Sequence, residues 1–173
     1  MTAALFLDRD GVINEDTGYT HIWSDDILIP GIIDLVLRFK QKMFKIIIIT
    51  NQSGIGRGYY NDSTFHFFMT KMREKLIKCG VDIDNYYYCS CDPSKSNCVN
   101  RKPEPNLFFR AALENNINLQ GSVMVGDKIS DLLAAHRAKI SSLYLFDRSN
   151  TFSIKKNTDL VFTIVNNLEQ IKG

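Results

Sequence analysis

Two rhythms of apolar residues alternate along the chain. Short, nearly continuous aliphatic runs recur at "AALFL" (3–7), "KIIIIT" (45–50), "NYYYCS" (85–90), "SVMVG" (122–126) and "SSLYLF" (141–146), with a sixth at "DLVFTI" (159–164). Between them the spacing changes to that of a helix face. "GIIDLVLRFKQKM" (31–43) places Ile32, Leu35, Val36, Phe39 and Met43 on one stripe. "DSTFHFFMTKMREKLIKCG" (62–80) opens on a capping residue, Asp62, carries Phe65, Phe68, Met69, Met72 and Leu76 on one face, and stops at Gly80. "NLFFRAALENN" (106–116) and "SDLLAAHRAK" (130–139) read as further helices, and "NNLEQIKG" as a short helix or a frayed tail. Continuous apolar strands separated by helices predict a parallel sheet covered on both faces, a doubly wound, Rossmann-like α/β fold. Such folds bind ligands beyond the carboxyl ends of their strands.

The residues that follow each predicted strand form a chemical set. After the first comes "LDRDG": Asp8 and Asp10 are two apart, so in an extended segment both carboxylates face one way, and Gly11 permits a sharp turn. Neighbouring carboxylates repel unless a cation lies between them, and Mg²⁺ suits oxygen ligands and phosphate-bearing substrates. After the second comes "TNQSGIGRG". Thr50 offers a hydroxyl, Asn51, Gln52 and Ser53 offer polar groups, and three glycines let backbone N–H groups approach an anion. The third ends in a cysteine-bearing loop (89–102) that delivers Arg101 and Lys102, a fork and a point charge for phosphate. After the fourth comes "GDKISD", in which Asp127 can complete the cation site, while Asp131 is expected to cap the next helix or brace Lys128. Two carboxylates, a hydroxyl on a glycine-rich turn, a cation and another carboxylate suit phosphoryl transfer: one carboxylate attacks phosphorus, another moves a proton, and cations neutralise the equatorial oxygens.

Bulk properties add boundaries. The chain has 173 residues, 45% hydrophobic and 23% charged, which suits one domain spanning 1–173. A net charge of +2 argues against nucleic acid as the main partner. The first ten residues lack a basic leader with a long apolar core, and no apolar run reaches membrane-spanning length, so a cytoplasmic protein is expected. Four cysteines then read as reduced thiols or metal ligands rather than a disulfide framework, with Cys79 expected to be a small buried apolar residue.

"FLDRDG", "IIIITNQSG", "RKP" and "VGDKISD", in this order, resemble the four motifs of the haloacid dehalogenase (HAD) superfamily of phosphatases. The resemblance implies Asp8 as nucleophile, Asp10 as general acid/base, Thr50 and Lys102 as groups that hold the phosphoryl unit, and Arg101 as a substrate-recognition residue. It implies Mg²⁺ held by Asp8, the Asp10 backbone carbonyl and Asp127, with Lys128 the neighbouring position. "DRDGVINED", "GYTH", "TNQSGIGRGYY" and "YYYC" are similar, more closely, to the D,D-heptose 1,7-bisphosphate phosphatase group. That likeness implies removal of the 7-phosphate of a heptose bisphosphate in the synthesis of nucleotide-activated heptose for lipopolysaccharide. It also implies that Asp16, Thr17, Gly18, Tyr19, Asn51, Gln52 and Ser53 contact substrate. No large cap fits between Thr20 and Pro30 or between Gly58 and Lys102, so the sugar itself, held by Tyr19, Arg57 and Arg101, is expected to exclude water. A monomer is the expectation.

The same group often carries a zinc loop just before Arg-Lys-Pro. Here Cys89, Cys91 and Cys98 fall in its ligand positions, while Asn100 stands where the last cysteine belongs. Three thiolates could hold a structural Zn²⁺, completed by water, Asp92 or Asn100; alternatively the loop folds without metal through turns at Asp92-Pro93 and Ser96-Asn97. Histidinol-phosphate phosphatases share the motifs, but usually carry Thr rather than Val12 and lack a "GYTH" segment. A polynucleotide 3′-phosphatase and an inactive HAD-like interaction module are the remaining readings.

Overall fold

A computed structural model describes residues 1–95, 97–152 and 160–172. The aliphatic runs form β1 (Ala4–Leu7), β2 (Lys45–Asn51), β3 (Asn85–Cys89), β4 (Val123–Gly126), β5 (Ser142–Phe146) and β6 (Thr163–Val165). They make one sheet in the order β3-β2-β1-β4-β5-β6, and every neighbouring pair is parallel. The helices are α1 (Ile32–Gln41), α2 (Ser53–Gly56), α3 (Asp62–Lys78), α4 (Asn106–Asn115) and α5 (Ile129–Arg137), with a 3-10 turn at Leu168–Gln170.

Side chains of successive strand residues point to opposite faces, and the two cores divide accordingly. Leu5, Leu7, Ile46 and Ile48 pack with Leu35 and Phe39 of α1 and Phe65, Phe68 and Met72 of α3. Ala4, Phe6, Ile47 and Ile49 pack on the other side with Leu107 and Phe108 of α4 and Leu132 and Ala135 of α5. Burial on both faces is why these strands read as unbroken apolar runs. The chain winds outward from β1 in both directions, so the carboxyl ends of β1 and β4 flank the point where strand order reverses.

Details differ from the sequence expectations. The cap of α3 is Asn61, whose side chain accepts from Thr64 N, and Asp62 is the first helical residue. Cys79 is exposed rather than buried: it lies beyond Leu76, the last residue of the buried stripe, at the outward-facing end of α3. The sixth strand is confined to Thr163–Val165; of its expected range Asp159 lies outside the described residues, as does Ser96 of the expected loop turn. The glycine-rich turn contains the short α2, which the apolar pattern gives no means to foresee. Among the described residues no helix is long and apolar enough to cross a membrane.

Candidate active site

The turn after β1 is built on one carbonyl. Arg9 O accepts from the N–H groups of Val12, Ile13 and Asn14, while Asp8 N donates to Val125 O and ties the turn to β4. Gly11 has φ +83°, and a Cβ there would meet Asp127 Oδ2 at 2.6 Å, so only glycine lets the two strand ends close. Asp8, Asp127 and Asp131 each place a carboxylate oxygen within 4.8 Å of the others.

Lys102 is buried at the floor of this group, and its ammonium is fully committed. It donates to Asp8 Oδ1 at 2.7 Å and to Ile49 O at 2.7 Å, and pairs with Asp131 Oδ1 at 2.8 Å. Burial works against its charge, but Asp131 and Asp8 outweigh burial and hold its pKa above the ordinary lysine value. Asn51 brackets the Lys102 backbone, donating to Lys102 O and accepting from Lys102 N, both at 3.1 Å. Asp131 also caps α5 by accepting from Lys128 N at 3.0 Å. The expected capping role is therefore present, but the side chain it braces is Lys102 rather than Lys128.

Asp127 carries the clearest sign of an ion site. Its pKa is pushed up to about 7, first by burial and then by Asp8 and Asp131. Its Oδ1 is buried with no hydrogen-bond partner among the described residues. An orphaned carboxylate oxygen beside two further carboxylates is the donor set a hard divalent cation requires. Lys128 cannot ligate a cation through its ammonium. It supplies counter-charge instead, 3.3 Å from Asp127 and 3.2 Å from Asp16.

Asp10 is held from several directions. Arg9, fully buried, forks onto it with Nε at 3.1 Å from Oδ1 and Nη2 at 2.7 and 2.8 Å from the two oxygens. Asn14 donates to Oδ1 at 2.9 Å and Gln52 to Oδ2 at 2.9 Å. The Arg9 guanidinium lies 4.6 Å from the Phe68 ring centroid and 5.5 Å from that of Phe65, which anchors it in the core.

These groups open into a cavity of about 410 Å³. Asp8, Asp10, Lys102 and Asp131 line its floor, Asn51, Gln52, Ser53 and Tyr60 one wall, and Asp16, Gly18 and Tyr19 the loop above. Arg101 lines it too, and its Nη1 is buried with no hydrogen-bond partner among the described residues. Four expected residues are not part of this lining. Asp127 lines a second cavity, which shares Asp16 with the first and is bounded by Gly11 and Phe146. Thr50 is buried beneath the wall and accepts from Gln52 Nε2 at 2.8 Å. Thr17 donates its N–H to Thr20 Oγ1. Arg57 lies outside the lining, 3.4 Å from Asp92 and 5.9 Å from the Tyr19 ring centroid, where it joins the loop above the site to the cysteine loop. Arg9, Tyr60 and Asp131 are the residues whose roles sequence reasoning missed. The only signal for the first was its place between two aspartates.

In the cysteine loop Cys89, Cys91 and Cys98 bring their sulfurs within 4.8 Å of one another. Cys91 and Cys98 form a disulfide, where reduced thiols or metal ligands were expected, and Cys89 Sγ lies 3.3 Å from Cys98 Sγ. So tight a cluster suits either a bonded pair with a third thiol or a trithiolate metal site. Asp92 Oδ1 accepts from both the N–H and the hydroxyl of Ser94 and pairs with Arg57, while its Oδ2 lies 3.9 Å from Lys95.

Comparison with known proteins bears on the whole chain. A family model described as HAD-hydrolase-like matches residues 99–161. A D-glycero-beta-D-manno-heptose-1,7-bisphosphate 7-phosphatase from Helicobacter pylori (strain J99) is 43% identical over 84% of this chain and 84% of its own length. The enzyme of that description from Pasteurella multocida is 36% identical over 100% of this chain and 98% of its own. The crystal structure of D,D-heptose 1,7-bisphosphate phosphatase from B. bronchiseptica, complexed with magnesium and phosphate, superposes with a TM-score of 0.83 at 29% identity, covering 96% of this chain and 94% of that one.

Proposed function

The chain belongs to the D-glycero-D-manno-heptose-1,7-bisphosphate 7-phosphatase family of HAD-like phosphatases, and from that premise we propose that it removes the 7-phosphate of the β anomer through an aspartyl-phosphate on Asp8. The observation that carries this reading is the floor of the cavity: a carboxylate, Asp8, beside a buried lysine, with a second proton-handling carboxylate, Asp10, opening onto the same space.

Asp8 Oδ attacks phosphorus, and the bond to the sugar oxygen breaks. Asp10 gives its proton to that departing oxygen, and later takes one from the water that hydrolyses the acyl phosphate. Lys102 and the Thr50 hydroxyl neutralise charge on the phosphoryl oxygens, Lys102 being held in place by Asp131 and Asn51. Asp8, Asp127 and the backbone carbonyl of Asp10 would hold Mg²⁺, and the orphaned Asp127 Oδ1 supports that fit. When bound, the ion supplies Lewis-acid neutralisation of charge on the transferring group. Asp16, Gly18, Tyr19, Ser53 and Arg101 face the sugar and its second phosphate. Cys89, Cys91 and Cys98 would hold a structural Zn²⁺ in the reduced protein, steadying the loop that delivers Arg101 and Lys102. The proposed setting is a single-domain monomer in the cytoplasm, making heptose for nucleotide-activated sugar and lipopolysaccharide.

The test is Mg²⁺-dependent phosphate release from α- and β-heptose 1,7-bisphosphate, histidinol phosphate and oligonucleotide 3′-phosphate ends. The β-bisphosphate is expected to turn over fastest, and Asp8→Asn to release nothing. Preferential turnover of histidinol phosphate or oligonucleotide ends would overturn the substrate; turnover surviving in Asp8→Asn would overturn the nucleophile. No release from any of them would leave the chain as an interaction module.

A further inference from the structure

Gln52 is buried, and its amide is almost fully committed. Its Nε2 donates to Asp10 Oδ2 at 2.9 Å and to Thr50 Oγ1 at 2.8 Å, which uses both protons. Its Oε1 accepts from the Tyr60 hydroxyl at 2.6 Å. While Asp10 is ionised the amide sits this way round, because the opposite orientation would set Oε1 against a carboxylate oxygen. Tyr60 is the group that rewards that orientation, and burial pushes its hydroxyl up to about 12, so it remains a donor.

Tyr60 is in turn clamped by two segments that the catalytic set does not use. His21 stacks on its ring with centroids 4.7 Å apart and planes 11° apart. A Cβ at Gly54 would meet Tyr60 Cε1 at 2.2 Å, so the glycine is what lets the ring in. The "GYTH" and "SGIGRGYY" segments thereby converge on one hydroxyl.

Arg9 and Asn14 reach Asp10 from its own turn. Gln52 comes from the end of another strand, and its side chain hydrogen-bonds both Asp10 and Thr50. We infer that Tyr60, acting through Gln52, is a positioning residue for proton donation: it aims Asp10 at the leaving oxygen and leaves the hydrogen of Thr50 free for the phosphoryl group. This rests on the reading of Asp10 as the acid. As the bond from phosphorus to oxygen breaks, a sugar alkoxide needs the Asp10 proton, whereas p-nitrophenolate departs without one.

The experiment compares kcat/KM on heptose 1,7-bisphosphate with kcat/KM on p-nitrophenyl phosphate, since this parameter covers the chain of steps up to loss of the leaving group. Asp10→Asn is expected to lower the ratio by about 10²-fold or more. Tyr60→Phe, which deletes one hydroxyl, should lower it about fivefold. Gln52→Met, which keeps the length and removes the amide, should lower it about tenfold or more. Equal slowing of both substrates in Tyr60→Phe and Gln52→Met, or an unchanged ratio, overturns the inference and leaves Tyr60 a packing residue. An unchanged ratio in Asp10→Asn overturns the acid assignment itself, and the inference with it.

Discussion

Asp131 Oδ1 lies 2.8 Å from the ammonium of Lys102, and both side chains are almost wholly buried. The lysine also pairs with Asp8, so Asp131 decides how much of its charge remains for an incoming phosphate and how firmly it is held. Removing one member of a buried pair leaves the other short of compensation. Asp131→Asn keeps the shape and loses the charge. It is expected to cost about 2 kcal/mol of stability, the scale of a hydrogen bond to a charged group, and to lower kcat at least about tenfold. Thermal melts and steady-state kinetics check both; a variant with wild-type values would show that Asp8 and Ile49 O suffice to place Lys102.

Asp127 makes the metal-free protein respond to pH. Its carboxyl, ordinarily near 3.8, is pushed up to about 7 by burial, Asp8 and Asp131. Between those values the unfolded chain has released this proton while the folded protein keeps it. The folded state therefore binds more protons, and the contribution to stability falls as pH rises from about 4 to about 7. With metal chelated, Asp127→Asn is expected to melt above wild type at pH 7.5, and the gap should close towards pH 4. Adding Mg²⁺ at pH 7.5 should reverse the order, because wild type binds the ion through the ionised carboxylate and the variant does not. A gap independent of pH would place the strain elsewhere.

The parallel sheet and most of the cavity floor were legible because strand ends are local features: an apolar run, then the residue that turns the chain. Asp8, Asp10 and Asp127 stand there in plain sequence, and Lys102 at the end of the loop that follows β3. Partners brought together from distant segments were not. Asp131 meets Lys102 across 29 positions, and Tyr60 reaches Asp10 only through Gln52. Arg9 looked like a spacer between aspartates, yet it is fully buried between Asp10 and two phenylalanines. Arg57 went astray for the converse reason. A glycine-rich turn suggests a phosphate cradle, but nothing in the turn itself reveals that Asp92 waits beside it.

The cysteine loop offers a redox-dependent expectation. A disulfide between Cys91 and Cys98 occupies two of the three clustered sulfurs, so zinc and the disulfide exclude each other. Protein purified with reductant is expected to carry about one zinc per chain, and oxidised protein or Cys89→Ala far less. Metal analysis by mass spectrometry gives the stoichiometry, and activity before and after chelation gives the consequence. Reduced protein that is free of zinc and fully active would remove the metal from the account of how Arg101 is placed.

Arg101 lines the cavity with one guanidinium nitrogen buried and unpartnered among the described residues, whereas Lys102 beside it is fully engaged. The adjacent cations therefore divide the work. In the proposed reaction Lys102 serves the phosphoryl group in transfer, and Arg101, with a donor to spare, serves the phosphate at the far end of the sugar. A guanidinium meets phosphate as a fork, so even lysine is a poor replacement. Arg101→Ala is expected to raise KM for the bisphosphate about tenfold to 100-fold, with a smaller change in kcat, the pattern of lost uniform binding. Arg101→Lys should recover only part of the loss. The control is heptose 7-phosphate, which lacks the second phosphate and should discriminate little between wild type and variant. A loss of equal size on both substrates would instead assign Arg101 to the phosphoryl group that leaves.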